Sequence, residues 1–496
     1  MPRLLKISAK PGRIWTRLYH ETPAIPIPPN QEAKGIIIRL GYPGQRPGKF
    51  VVWNRKTVTI ENPPLGAAFS GSIHMPQRRQ FLTSAAMALS YPTLGLAARA
   101  GQTGKKRIAF LGTEVRPLAH AQHFLDRLTL GYPWAGKWQK PRVEVAGVFI
   151  DQFPDGDLAR GRAQRHNLKL YPTVAEALTL GTGKLAVDGV VIIGEHGKYP
   201  KSAKGMVQYP RYRWFKEVVK VFEQSGRAVP VFNDKHLSTD WAECKEMVDD
   251  ARRLGFAFLA GSSLPVTRRE PQTEVPHGVD LIESLCVAYG GVDSYDFHAF
   301  ETAQCMAERR KGGEMGVISV RALKNETVYA ELASPGRETT RKLFVTALNR
   351  SHNLPAADGY VTDAVTLDWA RGQLKSITGF FFEHEGGFRS SSYLTGVRDF
   401  TWAGQVAGEP DPMSCVFHLP MPKHGSTTAD FFHPLCRQIE EMVLTGRTPV
   451  PVERTLLTSG MVIAGVDSLA AQGEVVRTPH LRFGYQAPAE SLYWRD

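Results

Sequence analysis

Cysteine is scarce in this sequence. Cys244, Cys286, Cys305, Cys415 and Cys436 form no CxxC pair and are odd in number. That excludes a disulfide framework and gives no structural zinc signature, so they read as small buried apolar residues. Long apolar runs are also missing. The one mild stretch, after Arg79, is short and broken by Pro92, which excludes stable membrane insertion. Excess charge is missing from the body of the chain. Residues 1–107 hold 17 Lys and Arg against 3 Asp and Glu, and the remainder holds 44 against 45. The net +13 therefore belongs to the N-terminal part, and nothing in it supports nucleic-acid binding. There is no internal repeat and no low-complexity tract.

What is there is a chain of 496 residues, 42% hydrophobic and 22% charged, enough for two compact domains and an extra segment. Residues 1–74 are basic and rich in proline (Pro23, Pro26, Pro28, Pro29, Pro43, Pro47, Pro63, Pro64), with strand-like runs at Gly35–Leu40 and Phe50–Ile60. A small β appendage fits them, but a disordered or untranslated leader fits better, because Met75 opens what reads as a fresh start. Arg78-Arg79 followed by Phe81-Leu82 matches the twin-arginine export pattern, and Ala97-Ala98-Arg99-Ala100 supplies a small-residue cleavage site. The expectation is a signal and linker over 75–104, a mature protein beginning near Gly101, and a periplasmic location.

From Lys105 the pattern is strand then helix, repeated. Buried-type strands are expected at Arg107–Gly112, Val143–Asp151, Val187–Gly194 and Val229 onward. Helices are expected at Asp157–His166, Thr173–Leu180 and Arg211–Ser225. Strands alternating with helices imply a doubly wound parallel sheet over 105–237. Trp214, Phe215, Val218, Val219 and Phe222 recur at helical spacing and belong to its core. A helix capped by Ser238, Thr239 and Asp240 follows, and then a strand at Phe256–Gly261. Further on, alternating and aromatic runs (Leu281–Tyr289, Glu314–Leu323, Thr327–Ala333, Gln373–Phe382, Phe388–Leu394) predict a large, mainly antiparallel sheet. Late helices at Thr428–Leu444 and Glu453–Ala471 and an extended end at Val475–Tyr485 complete an α+β domain over 238–496. The fold class is α/β followed by α+β.

The stretch that organises this pattern is Val229-Pro-Val-Phe-Asn-Asp-Lys-His-Leu-Ser238. An apolar strand runs into Asn233, Asp234, Lys235 and His236, and open α/β sheets bind ligands outside the carboxyl ends of their strands. A partly shielded lysine there can hold a substrate hydroxyl or tune a base; pairing with Asp234 at a helix start is the plainer alternative. The loop after Gly194 is rich in polar and aromatic residues (Glu195, His196, Tyr199, Tyr209, Arg211), a composition that suits a carbohydrate. Glu383-His384-Glu385 offers imidazole and carboxylates, but alternation along a strand sends His384 to the face opposite its neighbours, so no metal site is expected.

These residues resemble the Gfo/Idh/MocA oxidoreductases over about Lys105 to Tyr485. The likeness rests on Gly112 closing the first strand, Asp151 closing the second and the VDGVVIIG strand. Lys235 stands at the lysine of the family's Glu-Lys-Pro motif and His298 at the histidine of its Asp-x-x-x-His motif, with Arg477-Thr-Pro-His-Leu near the end. The resemblance implies a Rossmann-like nicotinamide domain and a sheet-faced substrate domain. It implies hydride transfer between NAD or NADP and a hydroxyl of a sugar, polyol or glycoside. His298 would then be the base and Lys235 the alkoxide stabiliser. Gly112, Thr113, Glu114, Asp151, Gly194, Glu195 and Asp234 would hold the cofactor, with Asp151 favouring NAD. His196, Tyr199, Arg211 and His236 would face the substrate. Self-association through an exposed face of the C-terminal sheet is implied as well.

The departures are specific. Where the family has GxGxxG this chain has Gly112-Thr-Glu-Val-Arg-Pro117, and Glu114 would repel a pyrophosphate unless turned away. Asp151 lies 39 residues after Gly112, an offset that an insertion around Leu128–Lys140 explains. The aspartate of Asp-x-x-x-His falls on Ser294. The same fold without hydride chemistry, as a glycoside lyase, hydrolase or sugar-binding module, is the rival these departures favour.

Overall fold

In the computed structural model, residues 36–39, 50–54, 57–61, 104–420 and 428–495 are described. The chain falls into two compact units, Met1–Ala97 and Ala98–Asp496. In the first, Ile36–Arg39, Phe50–Asn54 and Thr57–Glu61 pair as a three-stranded antiparallel sheet, so this part of the expected leader carries the β structure its strand-like runs imply. The twin-arginine pair, Met75 and the cleavage site lie outside the described residues.

The second unit opens with the doubly wound sheet. Its strands are β1 (Lys106–Gly112), β2 (Val143–Ile150), β3 (Leu170–Tyr171), β4 (Gly189–Ile193), β5 (Val231–Asp234) and β6 (Phe258–Gly261). They lie parallel in the order β3-β2-β1-β4-β5-β6, the dinucleotide-fold order with its switch point between β1 and β4. The helices are α1 (His120–Leu130), α2 (Ala159–His166), α3 (Val174–Thr179), α4 (Arg211–Ser225) and α5 (Trp241–Leu254). On α4 the five apolar residues expected in the core are buried. Asp240 caps α5, accepting the Glu243 N–H, and Gly255 ends it at φ 69°. Between α1 and β2 a hairpin, Tyr132–Trp134 with Lys137–Gln139, is the insertion that lengthens the spacing to Asp151. The sheet runs on to Gly261, past the expected boundary at 237, because β6 pairs along β5.

The second layer is an eight-stranded sheet. Its strands are β7 (Arg269–Glu270), β8 (Leu281–Tyr289), β9 (Val317–Lys324), β10 (Thr378–His384), β11 (Arg389–Thr395), β12 (Phe400–Val406), β13 (Met413–Phe417) and β14 (Val476–Arg477). They are ordered β7-β13-β12-β8-β11-β10-β9-β14, antiparallel except where β8 meets β11. Helix α6 (Asp296–Ala307), buried along all twelve residues, fills the interior, with Phe300 edge-on to Phe380 and Phe382 at 4.9 Å. The C-terminal helices are Glu453–Ala470, which ties the two sheets together, and His433–Thr445. Thr455 donates to the carbonyl of Ala260 in β6, Ser459 accepts from Leu237, and Ser468 accepts from Ala322 in β9.

Two expectations are corrected here. Residues 327–333, read as a strand, form the helix Glu326–Ala333, because Val328, Tyr329 and Leu332 are the buried positions and they recur at helical spacing. The second correction concerns the far face of the large sheet, which is not exposed. The chain's own helices Glu326–Ala333 and Glu338–Leu348 cover it, packing Leu343, Phe344, Ala347 and Leu348 on Leu285, Val287, Phe381 and Tyr393. Phe344 is fully buried at 4.9 Å from the Tyr393 ring. Phe344→Ala should therefore cost about 3–5 kcal/mol in urea unfolding and leave the oligomeric state by light scattering unchanged.

Candidate functional site

Five segments converge at the carboxyl ends of β1, β4 and β5. The turn after β1 brings α1, the loop after β4 brings Glu195 and His196, and β5 ends in Asp234 and Lys235. Helix α6 comes from the second layer, and residues 431–432 come from the segment before the His433–Thr445 helix. They enclose a cavity of about 290 Å³ whose polar wall includes His120, His123, His196, Lys235, Tyr209 and His298.

The floor is ionic. Lys235 Nζ donates to Glu195 Oε1 at 2.8 Å, and Arg211 donates to Glu195 Oε2 at 2.7 Å. All three residues are less than 10% exposed. Burial pushes the Glu195 carboxyl up, but the Lys235 and Arg211 charges outweigh it and hold the group well below 4.5. Local backbone makes this possible. Lys235 stands at φ 65°, its N–H on the Gly261 carbonyl, which turns the chain off the strand. Gly194 has no side chain because a Cβ would lie 2.6 Å from Arg211 Cγ. Lys235 therefore pairs with Glu195 and not with Asp234.

Three of the imidazoles above this floor, His298, His196 and His123, are kept neutral. Burial first, then the charges of Lys235 and His120, hold His298 well below 6.5. Burial draws His196 and His123 down to about 3. His196 Nε2, His298 Nδ1 and Asp234 Oδ1 are buried without a hydrogen-bond partner. Buried polar atoms without a partner are costly.

The expected site residues divide accordingly. Lys235, His298, His196 and Glu195 share the cavity, and Ser294 lies on its wall. Arg211 is 1% exposed and serves Glu195, and His236 is buried with Nε2 3.1 Å from Arg211, so neither faces a substrate. Tyr199 does not line the cavity; its hydroxyl donates to Asp151 at 2.7 Å. Asp234, expected to hold cofactor, accepts from His120 at 2.7 Å instead. Gly194 is committed to packing on Arg211. His120 and His123 went unnoticed in the sequence, because nothing local marks two histidines in the first turn of a helix. The signal available was their place directly after the β1 turn. His384 spends both ring nitrogens, on Glu314 and Ser390.

The switch point meets a dinucleotide at three positions and obstructs it at one. Gly112 sits so close to α1 and β2 that a Cβ would lie 3.1 Å from Ile150 and 3.3 Å from Ala121. Glu114 is turned onto Arg116 at 2.6 Å, and the guanidinium is the outer group, 39% exposed against 8%. The charge presented to a phosphate is thus cationic. Asp151 acts as a hydroxyl acceptor, taking the Tyr199 hydroxyl at 2.7 Å. The obstruction is the loop after β4, tied across the strand tips by Tyr199 to Asp151, Lys198 to Gln152 and Thr113 to the Glu195 carbonyl.

No family model matches the chain, and no curated protein matches it. Among solved structures the chain is similar to GenD2 from gentamicin A biosynthesis in complex with NAD (14% identity, 77% of this chain and 99% of that one, TM-score 0.47). It is also similar to myo-inositol dehydrogenase from Lactobacillus casei in complex with NAD(H) and myo-inositol (12%, 79% and 100%, TM-score 0.47). A third is myo-inositol 2-dehydrogenase from Lactobacillus plantarum (10%, 75% and 99%, TM-score 0.43). Likenesses at these values do not bear on what the cavity of this chain binds. By its own strand order the chain has the Rossmann-like sheet and large antiparallel layer that the Gfo/Idh/MocA resemblance implies.

Glu195→Gln leaves two cations buried against a neutral amide and should cost roughly 3–5 kcal/mol at pH 7. The folded pKa lies below the unfolded value near 4.5, so the carboxylate's stabilisation is complete above that value and is lost as pH falls through the folded one. Urea unfolding across pH should show the two proteins converging on acidification.

Proposed function

We propose that this chain is an NAD(P)-dependent oxidoreductase for a hydroxyl of a sugar-, polyol- or glycoside-type molecule. The observation that carries the reading is the meeting of Lys235 and His298 in one cavity beside the switch point of a dinucleotide-fold sheet. At about 290 Å³ the cavity is near the lower end of ligand-pocket sizes. Gly112, Arg116 and Asp151 would hold the dinucleotide, which supplies the hydride acceptor when bound. The chain's own residues do the rest. Neutral imidazoles accept hydrogen bonds from substrate hydroxyls and orient the ring. The Lys235 ammonium, kept in place by Glu195, stabilises negative charge on the reacting oxygen in a site sheltered from water. Asp151, a carboxylate where a 2′-phosphate would lie, favours NAD over NADP.

One observation favours a second reading, the same cavity cleaving or binding glycosides without hydride chemistry. The loop bonded across β1 and β2 closes the way to the switch point, and Pro117 stands where the fingerprint has its third glycine. Calorimetric titration with NAD, after assay of dinucleotide released by denaturation, separates the two. Tyr199→Phe removes the bond that competes for Asp151, so NAD affinity should rise about 2- to 10-fold. Absence of dinucleotide and of affinity in both proteins would sink the oxidoreductase reading and leave the second.

Export to the periplasm by the twin-arginine route, from a start at Met75, is part of the proposal. Its support is Arg78-Arg79 before Phe81-Leu82. Arg78→Lys with Arg79→Lys should retain the protein in the cytoplasm on cell fractionation, and unchanged export would refute the route.

A further inference from the structure

We infer that the proton acceptor of this site is His120, oriented by Asp234, and that His298 has a different task. The inference rests on the reading that the cavity binds a hydroxyl-bearing substrate, and it holds for either chemistry above.

His120 is the first residue of α1, directly after the turn that replaces the glycine fingerprint. Leu118, at φ 65°, and Ala119 carry the chain into the helix so that the imidazole reaches across to β5. Its Nδ1 lies 2.7 Å from Asp234 Oδ2, and the ring borders the cavity with its side chain 17% exposed. Asp234 is 1% exposed at the carboxyl end of β5. An ionised carboxylate only accepts hydrogen bonds, so the shared proton sits on Nδ1 and the lone pair is left on Nε2. Among the described residues no hydrogen bond reaches that Nε2. A base with its far nitrogen held by a carboxylate is the arrangement that activates imidazole in acid–base sites.

His298 lacks each part of this. Its Nδ1 is buried with no partner, Ser294 stands where a carboxylate would brace it, and no carboxylate among the described residues bonds either nitrogen. Protonating it would place a charge beside Lys235. Its position suits a neutral hydrogen-bonding wall residue.

The charges facing His120 come from every element around it: Asp234 and Lys235 at the end of β5, Glu195 and His196 from the loop after β4, His298 from α6 and His123 from its own helix. The His196 and His298 rings lie 5.6 and 6.5 Å away, and Phe432 meets the ring edge-on at 5.0 Å. In the step proposed, the O–H bond of a substrate hydroxyl breaks with its electron pair left on oxygen. The proton forms an N–H bond at Nε2, the imidazolium pairs with the Asp234 carboxylate, and the alkoxide faces Lys235. Loss of that proton to solvent through the exposed ring edge restores the base.

The test needs no substrate. Uniformly ¹⁵N-histidine-labelled full-length protein, with the His120 signals assigned by their loss in His120→Asn, reports the tautomer. Acylation by diethyl pyrocarbonate, followed by peptide mass spectrometry, reports reactivity at each histidine. The expected result is an Nδ1–H tautomer for His120, which is also the first cavity histidine acylated. Asp234→Asn should abolish the tautomer preference and slow acylation by on the order of tenfold or more. An Nε2–H tautomer, or earlier acylation of His298, would overturn the inference, as would an unaffected Asp234→Asn protein of native circular dichroism. If Asp234→Asn does not fold, the wild-type tautomer decides alone. A dyad present in a protein that binds neither NAD nor a sugar would refute the proposed function and leave the dyad standing.

Discussion

The Glu195 carboxylate, bonded by Lys235 on one oxygen and Arg211 on the other, is the contact on which the rest of the site depends. It joins the loop after β4, the end of β5 and the start of α4. Taking three charges out of water is costly, and the set stands only because each oxygen has a cation. Its geometry reaches into the backbone, through a glycine at 194 that admits Arg211 and a left-handed turn that aims Lys235. Arg211 and His236 are buried in this frame and do not line the cavity, whereas Lys235 does. Arg211 and His236 are therefore part of the scaffold, although their positions in the sequence suggested contact with substrate.

On that floor the cavity presents neutral rings and one positive charge. Imidazoles in a buried, cation-lined space stay unprotonated, so they offer lone pairs and N–H groups in place of charge. His196 Nε2 and His298 Nδ1, on two rings of this wall, are buried without a hydrogen-bond partner. His120 differs from the other rings in having a carboxylate, Asp234, 2.7 Å from its Nδ1.

The second layer shows how the chain covers a sheet face of its own. Helices Glu326–Ala333 and Glu338–Leu348 close the outer face of the large sheet with the chain's own apolar side chains. The buried helix α6 and the helix Glu453–Ala470 bind the two sheets from the other side, which keeps His298 in register with Lys235.

The sequence by itself determined the alternation of strands and helices, the parallel sheet it implies and the place of Lys235. Apolar periodicity and strand-end polarity are local properties of the chain. It also marked His298 and His196 by their positions next to recognisable elements. It misread 327–333, where β-type residues lie at helical spacing and only the packing face tells the two apart. Tertiary structure alone decided which charges meet. His120 and Asp234 are 114 residues apart, and Glu195 and Lys235 are 40. Ion pairs at such separations leave no trace in composition or spacing, because they form only when strand tips are brought side by side. The same holds for Tyr199 on Asp151, a bond between the ends of two strands' loops, 48 residues apart.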